Sequence, residues 1–463
     1  MRITFYGGAK SVTGANYLLE EGDLRILVDC GLYQGSKYAD ELNYEKFPYD
    51  PATVDFVFLS HSHTDHTGRL PKLYKEGFRG QIIASNPTLD LAKKALPDNY
   101  GLMKTEAEKE GRELLYSLED LENTWTLAMG LDYENKIELA GGVTATLHDA
   151  GHILGSSVVE IQFPNQSQKS KIKNQNLNKI YFTGDLGNPP TPLLNPPYFP
   201  EDADFVVVES AYGNRIHEDR TRRKEILEDF IVETMNKGGV LMIPSFAMER
   251  TQELLFELND LMEHNKIPRV PVFVDSPLAI NLTEVYEKYP NYFNKTATHI
   301  IDSGDDIFNF PGLKFTRTSE ESKMINDIPA PKIIIAGSGM SIGGRILHHE
   351  RRYLSDPKSA ILFIGYQVQN SLGRRILDGA KEVSIFGEKV PVNCRVKAIG
   401  GYSAHADQTM LMRWIGTANI KSKLKKAFIV QGEEDSSQAL ADKVKNQLNI
   451  DTIVPASGES FEL

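Results

Sequence analysis

The sequence predicts an α/β protein of stacked sheets into which a second α/β domain is inserted, and three observations carry that expectation. Short apolar strands bounded by turn residues dominate the first half. From about Ser210 the rhythm changes to strand–helix alternation, and beyond Cys394 short strands return. At 463 residues the chain is also too long for one ordinary domain.

The strands read in order as RITFYG, LRILVDCG, VDFVFLSH, QIIASN, VTATLHDAG, VVEIQF, KIYFTGD and DFVVVES, most of them closed by Gly, Asn, Asp or Pro. A polar passage from about Leu89 to Ala128 interrupts them, and KTEAEKEGRELLYSLEDL within it has helical periodicity. The stretch from Asn165 to Lys179 carries Lys169, Lys171, Lys173 and Lys179 without one acidic residue. It reads as a solvated hairpin tip, with a contact for an anionic substrate as the functional alternative. RRKEILEDFIVETMNKGG, VLMIPSF, ERTQELLFELNDLMEH and VPVFVDSP then alternate helix with strand, which predicts a parallel sheet. KIIIAGSG and SAILFIGYQ are further strands running into glycine-rich turns and helices, and CRVKAIG and KKAFIVQG flank a helix in the tail. The expected layout is a first domain over 1–207, an inserted domain over 208–394 and a completing segment over 395–463.

Composition bounds the function. Apolar residues at 41% and charged residues at 25% give an ordinary globular balance. Only Cys30 and Cys394 are present, far apart, which favours a reducing cytosol over a disulfide framework. MRITFYGG reads directly as strand and turn, not as a leader, and no apolar run approaches the ~18 residues of a membrane span. A cytoplasmic protein with no membrane partner is expected. The formal charge of −12 argues against bulk electrostatic binding of nucleic acid but leaves room for a local basic groove.

FLSHSHTDHTG is the most informative string. Alternation at the end of a strand sends His61 and His63 the same way, toward one cation, while Asp65 and His66 face a second beside it. Imidazole and carboxylate together suit Zn²⁺ and neighbouring divalent metals. Three of the chain's 11 histidines clustered this tightly have few structural excuses. HDAGHILGS offers His152 and YFTGDLG offers Asp185, each after a strand, and a carboxylate between two cations can bridge them. His148 reads as an ordinary loop or strand-end histidine. Asp29, ending LRILVDCG, is placed to orient a ligand from behind.

The set Asp29, His61-x-His63-x-Asp65-His66, His152 and Asp185 resembles the metallo-β-lactamase superfamily, an αβ/βα sandwich. VESAYGNR with Glu209, GYSAHAD with His405 and IVQGEED at Gln431 resemble the three motifs of its β-CASP branch, whose inserted α/β domain matches the layout above. GSGMSIGGRILHH and GYQVQNSLGRRI look like the RNA-type members of that branch. With no KH-type segment before the first strand and no added C-terminal domain expected, the chain looks most like a compact bacterial β-CASP ribonuclease.

The resemblance implies two Zn²⁺ ions, one on His61, His63, His152 and Asp185, the other on Asp65, His66 and Asp185. A paired-metal site suits phosphodiester hydrolysis. It also implies that His405 is the general acid, that Glu209 holds its imidazole, and that Asp65 counts with both among the catalytic residues. RNA-type relatives carry a histidine where this chain has Gln431. A neutral amide is the weaker donor, so a weakened second metal and reduced turnover are expected. Ser338, Gly339 and Met340, after one strand and before a helix, form a candidate phosphate cradle with Arg345 nearby, and Arg374 follows a second such turn. Arg351 and Arg375 read as surface charge, and His348 and His349 as helix-face residues.

The expected function is therefore zinc-dependent endoribonuclease cleavage of single-stranded RNA, with exonuclease action as an added mode and a homodimer as the assembly. A small-molecule thioester or lactam hydrolase would share the metal turn but has no need of Glu209 and His405 in an enlarged fold. A DNA nuclease of the same branch typically carries valine at the last motif, and Gln431 is silent on that choice. A weakened RNA-binding scaffold usually loses several ligands, whereas this chain lacks one.

Overall fold

The computed structural model describes all residues except 36, 165–176, 218–221 and 422. The lysine-rich stretch ending at Lys179 therefore lies largely outside the described residues. The chain divides into two compact units, one of Met1–Pro189, Asn195–Ile216 and Ala404–Leu463, the other of Pro190–Leu194 and His217–Ser403.

The first unit holds two seven-stranded sheets. One runs Glu459–Glu462, Arg2–Gly7, Asn16–Glu21, Leu24–Val28, Phe56–Phe58, Gln81–Ala84, Ala128–Gly130. Its first four strands pair antiparallel, and from Leu24–Val28 onward the pairing is parallel. The other runs Thr452–Ile453, Lys426–Val430, Phe205–Glu209, Leu177–Phe182, Ser157–Pro164, Thr144–Asp149, Lys136–Glu138. Phe5, Val28, Phe58 and Ile83 from the first sheet share one core with Leu147, Val159, Phe182, Val207 and Phe428 from the second. Removing a large apolar side chain of this kind from water is worth about 1.5–3 kcal/mol, and the period of two decides where each goes. In Phe205–Glu209, Phe205 and Val207 point into this core, while Val206 and Val208 meet Leu411, Trp414 and Leu440 of the helices Gln408–Ala418 and Glu434–Leu448. Leu27, Val57 and Ile82 meet Leu70, Leu73 and Leu89 of the helices Leu70–Lys75 and Asn86–Glu110 on the outer face of the first sheet. The result is the αβ/βα sandwich that the resemblance implies.

The polar passage begins at the helix Asn86–Glu110, capped by the Ser85 side chain and ended by Gly111 in the left-handed region at φ 66°. The helix Leu118–Thr124 follows, opened by a reciprocal cap between Ser117 and Asp120.

In the second unit six parallel strands run Leu313–Phe315, Val272–Val274, Lys332–Ala336, Val240–Pro244, Ala360–Phe363, Arg395–Ala398. CRVKAIG thus belongs to this sheet and not to the returning tail, because Val396 pairs with Ile361 and Cys394 is buried with Leu354 and Ile376. The chain re-enters the first unit at Ala404.

Candidate metal centre

His61, His63, Asp65 and His66 follow a strand of only three residues, Phe56–Phe58, so alternation does not aim them. A one-turn helix, Thr64–Thr67, does so instead, with His63 as its N-cap residue and Gly68 N donating to Thr64 O at 2.8 Å. Gly31 lets this turn seat closely: a Cβ there would lie 1.4 Å from the Asp65 carbonyl oxygen. His152 lies beyond the strand Thr144–Asp149, its N–H donating to Ser156 Oγ at 3.0 Å. Asp185 lies beyond Leu177–Phe182 after Gly184, where φ is 51° and a Cβ would meet that of Ser60 at 2.4 Å.

Around Asp185 the side chains converge. Asp185 Oδ2 lies 3.4 Å from His61 Nε2 and 3.5 Å from His152 Nε2. His63 Nδ1 lies 2.9 Å from His61 Nε2 and 3.4 Å from His152 Nε2. One ligand atom from each of these four residues falls within 4.8 Å of all the others. Burial lowers the pKa of His61, His63 and His152, so neutral rings aim lone pairs at a common point beside a carboxylate. That donor chemistry fits a zinc ion. Burial would raise Asp185, yet the charges of His66 and His405 and the hydrogen bond from His61 hold it well below the usual carboxylate range.

The other oxygen, Asp185 Oδ1, lies 3.4 Å from His66 Nε2, which in turn is 3.8 Å from Asp65 Oδ2. Burial opposes a charged His66, but Asp185, Asp29 and Asp65 outweigh it and favour positive charge at this point. Gln431, with φ 50° after the strand Lys426–Val430, brings its Nε2 to 2.9 Å from both His66 Nε2 and Asp185 Oδ1. Asp29 stands behind, its Oδ2 2.8 Å from His66 Nδ1 and 2.7 Å from Ser60 Oγ. Ser60 was not singled out in the sequence, yet its hydroxyl also lies 3.0 Å from His61 Nδ1, and its place directly before His61 was the available signal.

Glu209 ends the strand Phe205–Glu209, fully buried, and its Oε1 accepts from Leu186 N at 2.6 Å. Its Oε2 lies 3.3 Å from His405 Nδ1, which is 3.8 Å from Asp185 Oδ2. Burial opposes protonation of His405, but Glu209 and then Asp185 push its pKa up to about 9.

Other expected residues fall elsewhere. His148 is buried in a strand between Glu134 and Glu160, each 2.8 Å away, and stacks on Tyr198. The candidate phosphate-holding residues all belong to the second unit. No helix begins at Met340: Ser338 N donates to Gly343 O at 3.0 Å, and the helix Ile346–Tyr353 starts later, its Ile346 N–H already bonded to Gly337 O. Arg345 binds Asp275 Oδ1 at 2.8 Å and the carbonyls of Thr316 and Arg317. Arg374 is exposed and chelates Asp378, both oxygens at 2.9 Å. His349 is a buried partner of Asp275, Nε2 to Oδ2 at 2.7 Å, rather than a residue on an open helix face.

Two sheets sandwiched between helices, with a histidine–aspartate cluster at their strand ends, define a metal-dependent hydrolase fold, and sequence comparison agrees. Residues 18–196 match the metallo-beta-lactamase superfamily domain, 251–376 the Beta-Casp domain and 389–455 the Zn-dependent metallo-hydrolase RNA specificity domain. The chain belongs to the β-CASP ribonuclease branch of the metallo-β-lactamase superfamily, a family that implies a bound metal, usually zinc. It is 37% identical over 442 residues to Ribonuclease TTHA0252 of Thermus thermophilus, covering 95% of each chain. Transcription termination factor FttA of Methanosarcina mazei is 30% identical across all of this chain and 72% of its own length, and that of Thermococcus kodakarensis 31% across all of it and 71%. A crystal structure of a protein of unknown function from Enterococcus faecalis shares the fold, with TM-score 0.56, 14% identity and coverage of 100% and 99%. Among the described residues no helix is long and apolar enough to cross a membrane.

Proposed function

We propose that the chain is a zinc-dependent ribonuclease that cleaves phosphodiester bonds of single-stranded RNA. The observation that carries the reading is the position of Asp185: one oxygen faces the His61–His63–His152 cluster, the other faces His66, and the His405–Glu209 pair lies beside it. His61, His63, His152 and Asp185 would hold one zinc ion, and Asp65, His66 and Asp185 a second, weaker one beside Gln431. When bound, the metals supply an activated water and charge stabilisation at the phosphate.

The chain's own residues do the rest. Asp29 and Ser60 fix the ring of His66, so that its Nε2 faces Asp185. Glu209 holds His405 by Nδ1, and Nε2 is the nitrogen that would carry a proton to the leaving 3′-oxygen. A pKa near 9 keeps that imidazole charged at neutral pH, as a general acid requires. Ser338, Gly339, Met340, Arg345 and Arg374 remain the proposed substrate contacts, Arg345 and Arg374 through N–H groups their protein partners leave over. The kinship to a protein named a ribonuclease and the match to an RNA specificity domain favour RNA over DNA.

Labelled single-stranded RNA and matched DNA, each with zinc and with a chelator, test the proposal. Zinc-dependent cleavage of RNA alone is expected. Cleavage of DNA at an equal or higher rate would transfer the assignment to the DNA-type nucleases. Sedimentation velocity reads the homodimer that belongs to the same reading.

A further inference from the structure

The second unit carries two exposed aromatic rings that the proposed chemistry does not use. Phe246 follows the strand Val240–Pro244 and is 38% exposed; Tyr366 follows Ala360–Phe363 and is 51% exposed. These strands and Lys332–Ala336 are parallel neighbours in one sheet, so the loops leaving their C-terminal ends meet at a single edge. Open parallel sheets bind ligands at that edge.

Phe246 is held there by construction. A Cβ on Gly339 would lie 2.7 Å from its ring, and one on Gly365 would lie 3.2 Å away. Two loops thus put a glycine against the same side of the ring, at Cδ2 and Cε2, while it stays open to solvent. The Gln367 amide ties those loops together, donating to Gly339 O at 2.9 Å and Gly365 O at 3.0 Å. The Phe246 carbonyl accepts from Thr251 Oγ1 at 2.8 Å, which fixes the residue from behind. Tyr366 is the next residue after Gly365, and the Arg374 guanidinium lies within electrostatic reach of its hydroxyl. A solvent-facing ring backed by two glycines, a second exposed aromatic beside one of them and a cation nearby make a combination suited to unpaired bases and their phosphates.

We infer that Phe246 and Tyr366 form a nucleobase-stacking platform for single-stranded RNA, with Arg374 facing the backbone of the stacked nucleotides. The inference rests on the RNA reading above and adds to it a base-holding surface on the second unit.

Binding is read by fluorescence anisotropy in chelator, so that cleavage does not intrude. The probes are a labelled single-stranded RNA and an abasic oligomer with the same backbone. Phe246→Ala and Tyr366→Ala should each weaken RNA binding roughly 10- to 100-fold, the usual effect of losing one stacked base. Abasic binding should stay within about twofold of the unaltered chain. Phe246→Trp should bind RNA as the unaltered chain does, whereas Phe246→Leu, which preserves apolar bulk, should behave like the alanine variant. Tyr366→Ala changes only an exposed side chain and serves as the control against misfolding. Equal losses on both probes, or full RNA affinity in Phe246→Leu and Tyr366→Ala, would overturn the platform and leave the RNA reading standing. If the unaltered chain binds no single-stranded RNA, both fall.

Discussion

Gln431 and His66 face each other at 2.9 Å, amide nitrogen to imidazole Nε2. Once the ring is neutral, as metal binding requires, Asp29 accepting from Nδ1 leaves a lone pair at Nε2, and the amide donates both to it and to Asp185 Oδ1. One side chain thus satisfies two of the atoms the second metal would use, and a cation entering there must displace both bonds. Gln431→His removes that competition and adds an imidazole. Zinc after dialysis, read by elemental analysis, should rise toward two per chain, and RNA cleavage at fixed free zinc should rise with it. Two tightly held ions in the unaltered chain, with no gain in the variant, would show that glutamine is an adequate substitute.

Asp185 touches both sides of the cluster, so Asp185→Ala should abolish cleavage and strip zinc while circular dichroism still reports a folded chain. His63→Ala should do the same. Retained activity in metal-analysed Asp185→Ala would remove it from the bridging role.

Asp29→Asn keeps the shape at position 29 but no longer presents two acceptor oxygens to His66 and Ser60. Losing a partner that orients a metal-ligating histidine typically costs 10- to 100-fold in metal affinity. A chelator competition titration reads it, and an unchanged zinc affinity would mean that Ser60 alone positions the ring.

His405→Ala should lose roughly 10²–10⁴ in rate with zinc content nearly intact. On a substrate with a nitrophenolate leaving group, which needs no proton, the loss should shrink. An equal loss on both would assign His405 some other task.

The pH profile follows from the same pair. A general acid must be protonated, so with His405 near 9 its contribution is complete at neutral pH and is lost as pH rises through about 9. Glu209→Gln removes the leading charge that raises this pKa, so the alkaline limb should move to lower pH. A limb that stays in place would break the proposed link between the two residues.

Much of this was legible in the sequence for a local reason. HSHTDH, the GD of YFTGDLG and the strand before each are contiguous strings, so the candidate residues could be read without knowing the fold. Of the strands missed, Ala128–Gly130 and Thr452–Ile453 are short edge elements, where pairing to a neighbour matters more than any pattern of their own, whereas Asn16–Glu21 is an interior strand paired on both sides. CRVKAIG was assigned to the wrong unit because an apolar run does not say which sheet receives it. Arg345 and His349 illustrate the same limit at the level of side chains. Their partner Asp275 lies far upstream in VFVDSP, and only the fold reveals that both serve a buried carboxylate.

Arg215 and Gln408 are joined by a backbone bond of 2.9 Å, and Gln408 also donates from its side chain to Gly213 O at 2.6 Å. These residues lie just before the chain leaves the first unit at Ile216 and just after it returns at Ala404. The long detour between them departs and arrives at neighbouring points, the arrangement in which inserted domains are tolerated. Glu209 lies upstream of this junction and His405 immediately downstream, both on the first unit's own framework. Lengthening, trimming or exchanging the inserted module therefore leaves the framework that carries Glu209 and His405 in place.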